Sequence, residues 1–195
     1  MAKQIFITLY ACLLAGSIHA QSFQRASISV GSESIALPFS GSGPYHPNLE
    51  ARMNLKMKES VNNLQYFNVN MGWYFHRRVE QAIYIGGEYQ FSKKVFDVVS
   101  IDLPVGLGYL HSFYPGKVYE IDESGNFSTL SQSGRPHAYG TVGLGLTFLH
   151  SSKIEPFVRQ DLMIETPFVN TIPVIPHTFF KAGVNLKINQ SNERQ

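Results

Sequence analysis

Apolar and polar residues alternate along most of this 195-residue chain. In 99–113, VSIDLPVGLGYLHSF, the residues Val99, Ile101, Leu103, Val105, Leu107 and Tyr109 fall on one side of an extended chain. Ser100, Asp102, Pro104, Gly106 and Gly108 fall on the other. Successive side chains of a strand point to opposite faces, so the segment is a strand with one apolar face and one small or charged face. The same pattern predicts eight strands, near 22–37, 48–59, 64–77, 81–92, 95–113, 137–150, 153–165 and 177–189. Helical periodicity is nearly absent, and neither an internal repeat nor a low-complexity linker divides the chain.

The next question is which face lies inside. The apolar set includes Leu49, Met53, Leu55 and Met57; Phe67, Val69, Met71 and Trp73; Ile83, Ile85 and Tyr89; Val142, Leu144 and Leu146; Ile154, Val158 and Ile164; and Phe180, Val184 and Leu186. The opposite set carries Glu50, Arg52, Lys56, Asn68, Asn70, Glu88, Asp102, Glu155, Arg159, Asp161, Glu165, Lys181, Asn185 and Lys187. The bore of an eight-stranded barrel is just wide enough for side chains or one small ligand, so some thirty bulky apolar groups do not fit there. The apolar face therefore points outward, against lipid. A soluble periplasmic ligand-binding barrel, apolar face inward, is the competing arrangement.

Connection lengths give a second, independent pattern. The connections at 38–47, 60–63, 78–80, 93–94, 114–136, 151–152 and 166–176 alternate long and short, with only the third out of step. Outer-membrane barrels have short periplasmic turns, longer extracellular loops and an even strand number. The expected fold is an all-β, eight-stranded antiparallel up-and-down transmembrane barrel with both termini in the periplasm. Local irregularity is expected where the first strand changes phase near Gly31, and where Pro104 and Pro156 interrupt ladders. Gln160 is an oddity within the lipid-facing set.

Composition sharpens this. Residues 1–20 carry an early Lys, a short apolar run and a small residue before Gln21, which reads as a secretory signal cut after Ala20. Cys12, the only cysteine, lies within it, so the exported fold owes nothing to disulfides. No later run approaches the roughly 18–20 apolar residues of a spanning helix. The organisation is then signal 1–20, barrel 21–189 and a short periplasmic tail 190–195. With 16 Lys and Arg against 14 Asp and Glu, no basic stripe argues for nucleic acid.

The last strand, KAGVNLKI (181–188), matches the assembly signal of outer-membrane barrels, with Lys181, Gly183, Leu186 and Ile188 at its positions. The mature chain resembles the small eight-stranded barrels of the OmpA and OmpX type. In GLGYLHSF, TPFV and the signal ending it is similar to outer-membrane barrel proteins of Bacteroidota. The resemblance implies outer-membrane location and contact with lipid and lipopolysaccharide. It does not fix a function.

Four groups of residues could carry one. The lumen set, Glu50, Arg52, Lys56, Glu88, Asp102, Glu155, Arg159, Asp161, Lys181 and Lys187, is charge-balanced. An ion-pair network filling the bore follows, because buried charges must be paired. At the end of the third strand His76, Arg77 and Arg78 could meet lipopolysaccharide phosphates, or form a plain solvated rim. The loop residues Phe168, Val169, Ile172 and Ile175, with Tyr114, Tyr119 and Phe127, offer an apolar surface beyond the membrane. Such a patch marks a site for a membrane-protein partner or an external ligand, or a plug.

The fourth group is LHSSKIE (149–155), where His150 and Ser152 have the His-x-Ser spacing of lipid A deacylase barrels and Glu155 or Glu165 could orient the base. Against a hydrolase, the segment falls in a periplasmic turn, and the Asn that follows in that motif is Lys153 here. The reading is a non-enzymatic, monomeric surface-loop barrel, with the deacylase-like hydrolase as the alternative. No zinc-type spacing or phosphate-cradling loop is present, so neither metal nor cofactor is expected.

Overall fold

The computed structural model describes residues 23–38, 44–121, 125–129, 133–149, 153–168 and 172–188. Eight long strands form a closed barrel: β1 (Phe23–Ser34), β2 (Pro47–Glu59), β3 (Asn63–Phe75), β4 (Gln81–Phe96), β5 (Val99–Phe113), β8 (Arg135–Phe148), β9 (Ile154–Thr166) and β10 (Ile175–Lys187). Each pairs antiparallel with its neighbours, and β1 closes the barrel by pairing with both β2 and β10. Two short strands, β6 (Tyr119–Ile121) and β7 (Phe127–Thr129), make a separate hairpin within the long connection between β5 and β8.

The faces sort as the alternation requires. Val69, Met71, Ile85, Leu103, Val105, Leu107, Leu144 and Phe180 are exposed on the outside, while Asn68, Asn70, Glu88, Asp102, Arg159 and Lys181 are buried in the bore. An apolar centre with Leu103 and Leu144 facing each other is therefore excluded. Trp73, Tyr109 and Phe148 face outward near strand ends. Gln160 also lies outward, paired with Leu144 on one side and Phe180 on the other.

Several expectations need correction. Leu55, assigned to the lipid face, is buried, although it pairs with outward-facing Phe67. It sits beside a register shift between Lys56 and Lys58, where one extra residue breaks the two-residue period. The expected irregularity at Gly31 is absent: β1 pairs without a break across it on both sides, and its shift lies between Phe23 and Arg25. Lys93 and Lys94 are not a turn; β4 runs on to Phe96, with a shift between Lys94 and Phe96. The ladder between β5 and β8 does break at Pro104, skipping from Asp102 to Val105. Pro156 pairs with Val184, while the β8 ladder ends at Phe157.

The connections at the end where β1 begins and β10 finishes, called the terminus end below, are short. The opposite end holds the connections 35–46, 76–80, 114–134 and 167–174 and is called the loop end below.

Candidate functional site

The bore is filled in layers, beginning near the termini. There Glu155 pairs with Arg25 at 3.2 Å and Lys187 at 2.8 Å. Asp102 accepts from Thr147 Oγ1 at 2.5 Å and Ser100 Oγ at 3.2 Å, so hydroxyls hold it rather than the central cations. Next comes an amide layer, in which Asn54 donates to Asn68 at 2.7 Å and Asn68 to Gln90 at 2.9 Å.

The middle of the bore is an ion-pair network. Arg159 reaches Glu88 at 2.8 Å, Asp161 at 2.7 Å and Glu50 at 3.4 Å. Lys181 reaches Glu50 at 2.6 Å and Asp161 at 3.0 Å, and Arg52 reaches Glu50 at 3.0 Å. Three acids thus face three bases drawn from β2, β4, β9 and β10. Of the inward charged residues named from the sequence, Glu50, Arg52, Glu88, Arg159, Asp161 and Lys181 meet here, while Asp102 and the Glu155–Lys187 pair lie apart. The side chain of Lys56 lies outside the described residues.

Above it lies an aromatic layer of Tyr74, Tyr84, Tyr139 and Phe179 with Leu110, Ala82 and Met163, all buried. Inward glycines make room for it: a Cβ on Gly72 would overlap the Tyr84 ring, and one on Gly86 or Gly108 the Tyr139 ring. Tyr84 donates downward to Glu50 at 2.9 Å, and Tyr74 donates upward to Glu80 at 2.5 Å.

The loop-end layer was not foreseen. It gathers Glu33, His46, His76, Glu80, His137, Glu165 and His177 beneath the mouth. Buried His177 joins two halves, with Nδ1 2.9 Å from Glu33 and Nε2 3.3 Å from Glu165. His76 and His46 stack with ring centroids 3.8 Å apart. Outside the strands, burial and then the neighbouring Glu165 carboxylate push Glu80 up to about 7. Burial holds His76 below the usual histidine range, against the pull of Glu33. The assignment of His76 to an outer rim is thereby corrected. It continues the inward parity of Gly72 and Tyr74 and is only 9% exposed, whereas Arg77 and Arg78 are exposed.

Of the proposed loop surface, Tyr114, Tyr119, Phe127 and Ile172 are exposed. Ile175 is not: it opens β10, pairs with Glu165 and is buried. Phe168 is half-buried, with the Arg135 guanidinium 6.0 Å from its ring centre. Val169, His150 and Ser152 lie outside the described residues, so of the deacylase-like set only the acids are placed: Glu155 is held by Arg25 and Lys187, and Glu165 lies in the loop-end layer beside His177.

No family model matches the sequence, and no curated protein matches it. Among solved structures, Neisserial surface protein A aligns with 85% of this chain and 96% of its own, at TM-score 0.54 and 16% identity. The chain has the fold of the small eight-stranded outer-membrane barrels. Lower-scoring likenesses are to the outer membrane enzyme PagL (TM-score 0.48, 10% identity, 84% of this chain and 99% of that one) and to Ail, the attachment invasion locus protein of Yersinia pestis (0.47, 11%, 85% and 100%).

Proposed function

We propose that this protein is an integral outer-membrane barrel, exported behind residues 1–20, that anchors a set of surface loops and does not conduct. The observation carrying this reading is inverted amphipathicity: an exposed apolar belt surrounds a bore packed with salts, amides and tyrosines. Water does not solvate such a belt favourably, whereas acyl chains do. In this reading both termini are periplasmic and the loop end faces outward. Arg77 and Arg78 there suit lipopolysaccharide phosphates, and Tyr114, Tyr119, Phe127 and Ile172 suit a partner's apolar surface.

The ion-pair and aromatic layers leave the side chains themselves as the filling of the bore, which supports an anchoring role over a pore. The test is fractionation of the expressed protein, run with and without boiling on a denaturing gel. Outer-membrane recovery and a heat-dependent mobility shift are expected. Recovery of the mature chain in detergent-free periplasmic extract would overturn the reading.

A further inference from the structure

We propose that Glu33, His46 and His76 form a binding site for one divalent transition-metal ion of the zinc class, at the loop end of the bore. Three separate segments bring them together: Glu33 is near the end of β1, His46 immediately precedes β2, and His76 immediately follows β3. These strands are neighbours in the barrel, so closure of the wall delivers all three donors to one point.

Two of the three donor spacings are close to those of a coordination shell. The Nδ1 atoms of His76 and His46 lie 3.3 and 3.6 Å from Glu33 Oε2, and the three donors fall within 4.8 Å of one another. Zinc–ligand bonds of about 2.0–2.1 Å at tetrahedral angles put neighbouring donors roughly 3.3–3.4 Å apart. The first distance already fits, and the second needs a contraction of a few tenths of an ångström. Two imidazoles and a carboxylate are also a donor set that zinc takes, with a fourth position left for water or another oxygen. His46 Nδ1 also makes a long hydrogen bond, 3.3 Å, with the main-chain carbonyl of Glu33, a contact the ion would displace.

A second observation points to a ligand. Glu33 Oε2 and His76 Nδ1 are buried without a hydrogen-bond partner, and Glu33 is fully enclosed. Buried polar atoms are ordinarily satisfied, and a cation between these two would satisfy both. The other Glu33 oxygen is held by His177 Nδ1 at 2.9 Å, which aims Oε2 at the two histidines. Outer hydrogen bonds of this kind fix ligating carboxylates in metal sites. His46 and His76 retain slight exposure, giving an ion a route from the loop side.

A second convergence, Glu80, His137 and Glu165, lacks a free imidazole nitrogen. His137 Nε2 is 2.8 Å from Ser112 Oγ, and its Nδ1 is 2.6 Å from the Pro167 carbonyl. Both contacts are short, so His137 is engaged at each ring nitrogen, whereas the contact at His46 Nδ1 is long and His76 Nδ1 has no hydrogen-bond partner. His137 therefore serves as the internal control.

The test uses the mature chain folded in detergent, stripped with chelator and titrated with Zn²⁺ alone, with Co²⁺ as a spectroscopic probe. One zinc per barrel is expected, together with the intense visible bands of tetrahedral Co²⁺. Both His46→Ala and His76→Ala should weaken binding at least about tenfold and abolish those bands, with His137→Ala unchanged. Heat-dependent mobility reports whether each variant folds; Glu33→Gln is the substitute should a histidine variant not fold. Absence of stoichiometric zinc would overturn the proposal. So would unchanged affinity in a folded His76→Ala barrel, or loss confined to His137→Ala. None of these outcomes bears on outer-membrane recovery, so the site and the anchoring role fail separately.

Discussion

At the residue scale, Arg159 is the most consequential side chain in the bore. Its guanidinium is shared among Glu50, Glu88 and Asp161, all buried. Removing one partner of a buried ion pair costs about 3–5 kcal/mol, chiefly because the other charge is stranded. Arg159→Met should therefore lower unfolding stability by about that amount, read as a reduced urea midpoint for loss of the heat-resistant form. Arg25 also pairs with an acid, Glu155, but at the partly hydrated terminus end, where its side chain is 17% exposed. Arg25→Met should cost less than Arg159→Met in the same assay. Gly72 tests the aromatic layer, since a methyl group there meets Tyr84 and displaces its hydroxyl from Glu50. Overpacking of this kind costs about 1–3 kcal/mol, so Gly72→Ala should shift the urea midpoint in the same direction by a smaller amount.

At the scale of elements, strand existence and facing were legible because one face of each strand had to be apolar, which imposes a two-residue period. Val99 to Tyr109 reads unambiguously for that reason. What breaks the period locally was not legible: Leu55 is buried beside two register shifts, and β4 continues through Lys93 and Lys94 because polar residues are acceptable near a strand end. The central ion-pair network could be anticipated, since every member lies at an inward position of a clear strand. The loop-end histidines could not. His46 and His76 fall just beyond strand ends, and Glu33, His137 and His177 are isolated polar residues whose convergence depends on barrel closure. Parity offered one usable signal, because His76 continues the inward series of Gly72 and Tyr74. The β6–β7 hairpin lies outside the barrel sheet and pairs only with itself. A lone two-stranded hairpin contributes little stability. Replacing 119–129 by a short Gly-Ser linker should therefore leave the unfolding stability read from urea titration within about 0.5 kcal/mol of the parent. A larger drop would mean that the hairpin is part of the folded unit.

At the scale of the whole molecule, the balance of forces is reversed relative to a soluble barrel: apolar area lies outside and hydrogen-bonded charge inside. This inversion makes the surrounding solvent measurable by substitution. Leu107 lies near the middle of β5 and is 73% exposed on the outer wall. Were that wall wetted, a charged residue there would be an ordinary surface change, worth within about 0.5 kcal/mol. Facing hydrocarbon, Leu107→Arg should cost about 2–4 kcal/mol and reduce the fraction of chains reaching the heat-resistant form in vesicles. Ile121, 66% exposed but on the β6–β7 hairpin beyond the barrel wall, supplies the matched comparison. Ile121→Arg should be nearly neutral, because the same charge meets water there. A large difference between two highly exposed positions has no explanation in aqueous solvation and follows directly from a lipid belt. Equal, small effects at both would place the whole surface in water and remove the basis for membrane anchoring.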